Sequence, residues 1–116
     1  MKIISIDDLE KVKVDMEGAK NLFKQLPISG KDGSPMFCFR VFTVEPEGHT
    51  PYHTHPFEHL NYVMAGFGAL VTESGEEKPL KKGDFAFVLP DEKHCYKNGS
   101  ADQPFVMICA VPKEYE

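Results

Sequence analysis

An all-β fold, built as an antiparallel sandwich or barrel, is what this 116-residue sequence predicts, and three observations predict it. Past residue 20 the chain reads as short runs of aromatic and β-branched residues, each about the length of a strand. None of those runs shows a sustained helical period. Clusters rich in Gly, Pro, Ser, Asn and Asp cut the runs at short intervals, with no room for the crossover helices that a parallel sheet needs.

The elements follow in order. DDLEKV is the only helix candidate, a turn or two that Asp7 can cap, and KIISI before it has strand character suited to exchange or augmentation. SGKDGSP at 29–35 is a turn cluster, after which MFCFRVFTV forms the first long strand. EPEG at 45–48 breaks it. HLNYVM, ALVT, FAFVL, KHCYK and FVMICAV are the remaining strands, separated by AGFG, ESGEE, KKGD and NGSADQP. Repeats, linkers and low-complexity tracts are absent, and 116 residues suit one domain, 1–116, with N-terminal strands within 1–34.

At 41% apolar and 27% charged residues the chain can bury a core. A net charge of -5 with thirteen scattered Lys and Arg, of which only Lys81-Lys82 form a pair, argues against a nucleic-acid partner. MKIISIDDLEKVK turns acidic after four apolar positions and no run approaches the roughly 20 apolar residues of a membrane span, so a cytoplasmic protein without a membrane partner is expected. Cys38, Cys95 and Cys109 are odd in number and widely spaced, which suits reduced thiols.

Four of the five histidines fall within HTPYHTHPFEH. The two-residue period of a strand sends His53 and His55 to one face and Thr54 to the other. Pro56 lacks an amide proton for a ladder, so the strand ends there, and a tight reversal returns His59 toward the first two. Three imidazoles on facing strand ends can hold a transition metal at about 2.0–2.2 Å. A lone histidine is more often an incidental surface or core residue, but a same-face pair plus a third after a break points to metal. His49, four residues before His53 and beside the EPEG turn, is left as a rim residue.

GHTPYHTHPFEHLNYVMAG resembles the first motif of the cupin superfamily, in which a Gly, a His-x-His pair, a Glu and a closing Gly follow one another; Gly48, His53, His55 and Gly66 fill those places. GDFAFVLPDEKHCYKN resembles the second, through Gly83, Pro90, His94 and Asn98. Gly48 lies one residue closer to His53 than in the usual pattern, and the second motif lacks its inner Gly. His59 stands where the family's ligand Glu is expected, with Glu58 beside it. This variant is similar to small single-domain cupins, often manganese-containing dimers, that hold their metal with four histidines. The resemblance implies a double-stranded β-helix (jelly-roll) barrel over residues 35–112, and one divalent transition metal, manganese first and Fe, Ni, Cu or Zn as alternatives. It makes His53, His55, His59 and His94 the ligands. Strand parity lets only one of Glu58 and His59 point inward, so Glu58 is the alternative third ligand.

Around such a centre, parity from the ligands continues the inward set to Tyr96, Asn61 and Val63. MFCFRVFTV presents either Cys38, Arg40 and Phe42 or Phe39, Val41 and Thr43, and FVMICAV either Phe105, Met107 and Cys109 or Val106, Ile108 and Ala110. The resemblance favours Arg40, Met107 and Cys109 near the metal, and Arg40, Tyr96 and Cys109 are the candidate catalytic residues. A guanidinium there suits an anionic substrate. Four neutral ligands leave the full +2 charge on the metal and, at six-coordination, two open positions. Dioxygenase-type oxidation of a small polar or anionic molecule is therefore the first expectation. A non-redox isomerase or decarboxylase is the second, and a non-catalytic metal- or ligand-binding module the third. A small-molecule substrate and a homodimer complete the expected partners.

Overall fold

Every residue from 1 to 116 is described by the computed structural model. Nine strands are present: β1 (Val12–Lys13), β2 (Lys20–Ile28), β3 (Phe37–His49), β4 (His59–Ala65), β5 (Phe67–Val71), β6 (Glu77–Lys81), β7 (Phe85–Val88), β8 (Cys95–Asn98) and β9 (Phe105–Pro112). Neighbours along the sheet run β6-β5-β8-β3-β9-β4-β7, with β2 also on β3 and β1 on β2, and every pairing is antiparallel. The thirteen-residue β3 makes the closure. Phe37–Val44 pairs with β9, while His49 reaches Lys97 of β8, so one strand passes from one wall to the other and the sheet curls on itself. This is the expected all-β double-stranded β-helix.

Leu22, Val44, Val63, Val88, Tyr96, Phe105 and Met107 fill the space between the walls. Cys38, Cys109 and Val111 form a second cluster with Phe42 and Phe57 against it. In β9 every odd residue from Phe105 to Val111 is buried, so the Phe105, Met107 and Cys109 set is the inward one. No helix is long and apolar enough to cross a membrane.

Four local expectations change. EPEG does not end the first long strand, since β3 continues through it to His49, with Glu47 at φ 66. The helix candidate is a single 3-10 turn, Ile6–Asp8, and its cap is Ser5, whose hydroxyl accepts from the Asp7 amide; Asp7 lies inside the turn. KIISI is not a strand, and Lys2 instead reaches the Asp32 carboxylate at 2.6 Å. His53 and His55 lie outside the regular strands, where only an isolated bridge from His53 to His94 holds the segment. The alternation of exposure nevertheless persists from Pro51 to Leu60, so odd-numbered residues face in without a continuous ladder.

Two strands lacked a readable pattern. KNLFKQLPI carries Lys20, Lys24, Gln25 and Pro27, yet folds as β2 because Leu22 packs into the core beside β3 while Gln25, on the opposite face, is buried under the N-terminal turn by donating to the Ile6 and Leu9 carbonyls. EKPLK folds as β6, at the sheet edge, where Pro79 forfeits no needed hydrogen bond.

Gly66 joins β4 to β5 at φ 77, and a Cβ there would meet the Pro104 carbonyl oxygen at 2.1 Å. Gly75 has φ 88 with nothing within 4 Å. Gly66→Ala is therefore expected to destabilise the fold by roughly 2–4 kcal/mol, combining left-handed strain with a backbone clash. Gly75→Ala carries only the strain, about 1–2 kcal/mol. Urea unfolding of both variants checks the difference, and equal losses contradict the close approach at Gly66.

Candidate metal centre

The two histidine segments meet through backbone. His53 N–H donates to the His94 carbonyl and His94 N–H to the His53 carbonyl, both at 3.1 Å. Facing residues of an antiparallel pair project to the same side, so this bridge alone puts both imidazoles in one cavity. His55, two residues on, shares that side, and its carbonyl accepts from the Asp91 amide at 2.8 Å. Asp91 has φ 66, the left-handed region that favours glycine, in the turn before His94; aspartate supplies that conformation where the second motif lacks its inner Gly.

One ring nitrogen from each of His53, His55 and His94 lies within 4.8 Å of the others. Ring centroids are 5.3 Å apart for His53 and His55, 4.9 Å for His55 and His94, and 5.8 Å for His53 and His94. Two rings are fixed from behind: His55 Nδ1 sits 2.7 Å from the Phe57 carbonyl and His94 Nδ1 2.8 Å from the Glu92 carbonyl. A carbonyl can only accept, so each Nδ1 carries the proton and each Nε2 presents a lone pair to the cavity. His55 Nε2 is buried without a partner. Burial, then the neighbouring His55, His94 and Arg40 charges, hold His53 below the usual imidazole range. Burial likewise lowers His94, against the Glu92 carbonyl that favours its charged form. Neutral rings, oriented by second hydrogen bonds and ending in an orphaned nitrogen, are what a transition metal requires. The residues fit the metal.

His59 stands at the edge of this group, 4.1 Å from His55 and 5.2 Å from His94 between centroids. Strand β4 turns it inward and leaves Glu58 exposed, as parity allowed for only one of them. Its Nε2 lies 3.4 Å from Arg40 Nη2, and its Nδ1 is buried without a partner. Desolvation first, then His55 and Arg40, push its pKa down to about 2, so this ring is neutral as well. His49 sits half-buried at the end of β3 against the Thr50 carbonyl, apart from the other four.

Arg40, Tyr96 and Cys109 all line the same cavity of about 360 Å³, with Phe42 and Asn61. Sheet register explains the grouping: Arg40 pairs with Cys109 and Cys109 with Asn61, one inward row across β3, β9 and β4. Arg40 Nη2 donates to Cys109 Sγ at 3.1 Å and Nη1 to the Tyr115 carbonyl, while Nε is buried and unpartnered. The guanidinium thus lacks a carboxylate partner. Tyr96 donates to Asn61 Oδ1 at 2.9 Å, and burial raises its pKa, so the phenol keeps its proton at neutral pH. Met107 belongs to the core and does not reach the cavity lining.

Sequence reading missed the aromatic wall. Phe57 stacks on His55 at 4.2 Å and Tyr115 on Phe57 at 3.9 Å, while Val14, Met16 and Leu22 close the N-terminal side. Phe57 was accessible to the same period-two argument, since it lies between His55 and His59 on their parity. Tyr115 follows the last strand in a short 3-10 turn and had no local signal.

Known proteins agree with this architecture. The polyketide cyclase RemF from Streptomyces resistomycificus superposes with a TM-score of 0.90 at 29% identity, over 97% of this chain and 79% of that one. A predicted oxalate decarboxylase from Thermotoga maritima superposes at 0.79 over 97% of this chain and 99% of its own, but at 19% identity that likeness speaks for the fold alone. An uncharacterized protein from Aquifex aeolicus is 30% identical over 96 residues, 82% of this chain and 74% of its own length. Residues 40–111, which contain all four inward histidines and both candidate motifs from His53 onward, match the family model of the cupin domain, and the chain belongs to that family.

Proposed function

We propose that this cupin is a metal-dependent enzyme acting on a small, anionic, enolisable carbonyl compound, with His53, His55, His59 and His94 as the ligands of one divalent transition metal. The observation that carries the reading is the half-buried Arg40 guanidinium, its Nε buried without a partner and no carboxylate bonded to it, beside a cluster of imidazoles. Glu116 also lines the cavity, but its carboxylate accepts from the Gly30 amide and makes no ion pair with Arg40, which leaves the guanidinium to meet an anion. When bound, the metal supplies Lewis acidity toward a carbonyl oxygen. Arg40 binds and orients the anionic end of the substrate, and Cys109 Sγ, which accepts from Nη2, holds the guanidinium in place. Tyr96 keeps its proton on the phenol oxygen and directs it to Asn61 Oδ1, which fixes that amide for hydrogen bonding to substrate. Phe42, Phe57 and Tyr115 give the cavity apolar walls that exclude water.

A non-redox reaction, such as isomerisation, decarboxylation or the ring closure suggested by the cyclase likeness, is the first reading. Dioxygenase-type oxidation is the second. What favours it is the raised pKa of Tyr96, which leaves the phenol unsuited to proton abstraction at neutral pH. Manganese is assigned on the resemblance to four-histidine cupins, and the imidazole set also accepts Fe, Ni, Cu or Zn. Three free cysteines support a cytoplasmic setting.

Two expected outcomes test these assignments. Purified untagged protein should hold one transition metal per chain by elemental analysis. His53→Ala with His55→Ala should lose it, whereas His49→Ala and Glu58→Gln should keep it. His59→Glu should retain the metal in a three-histidine, one-carboxylate set; metal loss in Glu58→Gln, with none in His59→Gln, would make Glu58 the ligand.

The second concerns chemistry. Turnover of a panel of β-keto acids and β-diketones is expected without oxygen and without oxygen uptake, and Arg40→Gln should raise KM for the acids at least about 10-fold while the neutral diketones change little. Turnover that stops under anaerobic conditions selects the oxidative reading, and equal effects of Arg40→Gln on acids and neutral diketones remove the anion-binding role.

A further inference from the structure

A second cation lines the metal cavity. Besides Arg40 and the one carboxylate of Glu116, the charged lining residue is Lys24 of β2. Neither cation forms an ion pair with Glu116 or with any other carboxylate. Arg40 has a part in the proposed function and Lys24 has none.

The sheet sets where Lys24 stands. From Leu22 to Gln25 the pairing of β2 with β3 is unbroken, and it places Lys24 opposite Phe42. Phe42 in turn faces Met107 of β9, which is buried in the core, so Lys24 belongs to an inward row. Leu22, on the same parity, lines the cavity with it, whereas Phe23 and Gln25 do not. On an open sheet edge an inward lysine serves to repel a wrong partner strand. Lys24 is not at an open edge, because Val12 of β1 pairs with it on the other side. A half-buried ammonium near another uncompensated cation costs stability, and packing alone gives no reason to keep it there.

Both cations border one aromatic ring. The Arg40 guanidinium carbon lies 5.0 Å from the Phe42 ring centroid, and Phe42 is the register partner of Lys24. Lys24 therefore stands one strand over and two residues along from Arg40, roughly 8 Å between backbone positions by ordinary strand spacing and rise. The two charges also act on a common point. Burial pushes the Cys38 thiol up, Arg40 and Lys24 act against that rise, and Glu116 and Cys109 act with it.

We propose that Lys24 is a second anion-binding residue of this cavity, so that the substrate carries two anionic groups, one held by Arg40 beside the imidazoles and one by Lys24 across Phe42. This rests on the reading of Arg40 as the residue that binds the anionic end of the substrate, and extends it. A dianion compensates both cations, while a monoanion leaves one of them alone in a half-buried place, so the cavity discriminates by charge as well as by size. Lys24 offers a compact charge with three rotatable donors and accepts a carboxylate or a phosphate-type group alike.

The test measures binding, independently of turnover. Calorimetric titration of the metal-loaded full chain at low ionic strength compares butyrate, a monoanion, with glutarate and phosphonopropionate, which carry a second anionic group on a short chain. Glutarate or phosphonopropionate should bind at least about 10-fold more tightly than butyrate, and whichever of the two binds better identifies the type of the second group. Lys24→Gln should remove that preference and change butyrate by less than about 2-fold, Lys24→Arg should keep it, and Arg40→Gln should weaken all three ligands. Lys20→Gln, at an exposed position of the same strand outside the cavity, controls for net charge and should change none of them. A cooperative melt establishes that each variant folds, and Lys24→Met, which keeps the apolar stem, replaces Lys24→Gln if that variant does not. Dianions that bind no more tightly than butyrate overturn the proposal, as does a preference that survives in both Lys24→Gln and Lys24→Met, or an equal loss in Lys20→Gln. An effect of Arg40→Gln on all three ligands with none of Lys24→Gln removes the extension alone, whereas butyrate binding that is indifferent to Arg40→Gln removes the underlying reading with it.

Discussion

One pair of backbone hydrogen bonds, between His53 and His94, is the constraint on which the site depends. The two residues are far apart in sequence and belong to no continuous ladder, yet their reciprocal bonds set the register of every inward side chain nearby. His55 follows from His53 by the two-residue period, and Tyr96 follows from His94 by the same rule. The carbonyls of Phe57 and Glu92 then orient two of the rings from outside. Nothing in that arrangement satisfies His55 Nε2 or His59 Nδ1. A buried polar atom without a partner costs about 1–3 kcal/mol, so packing alone gives no reason to gather such atoms at one point.

Arg40 poses the same problem with a full charge. Its guanidinium finds a thiol, a main-chain carbonyl and an imidazole nitrogen, none of which neutralises it. An ordinary core would match such a cation with a carboxylate or replace it by an apolar residue. Here the neighbouring imidazole responds instead, since burial first, then His55 and the Arg40 charge, keep His59 neutral. The cost to stability and the proposed readiness to bind an anion would have one physical origin.

Much of this was legible through parity. A period of two separates His59 from Glu58, and it narrowed Arg40 and Cys109 to one of two faces each, between which the resemblance chose; the structure turns His59, Arg40 and Cys109 into one cavity. Parity failed where no apolar alternation existed to be counted. Strand β2 presents lysines and a proline along its length, and edge strand β6 is exposed at four of five positions. The aromatic wall was harder still, because Tyr115 reaches Phe57 by tertiary contact from beyond the last strand. A sequence shows which side a residue takes within a strand far better than what arrives over that side from elsewhere.

Strand β4 shows what is unusual about this chain. In a half-buried strand the inward residues are apolar and the outward ones polar. At the start of β4 the order is inverted: His59 and Asn61 face in, Leu60 and Tyr62 face out. A slip of one residue would bury Leu60 and Tyr62 and expose the polar pair, so hydrophobicity alone would favour the wrong register. What resists the slip is the rest of the ladder. Val63 is fully buried further along the same strand, and β9 pairs with Leu60–Val63 on one side and β7 with His59–Tyr62 on the other, which holds β4 in register there. Inversion confined to four residues is tolerable if each face has something to meet. On the proposed function the inward pair would meet a metal and its substrate, while the outward pair adds to the apolar outer surface of β3, β9, β4 and β7.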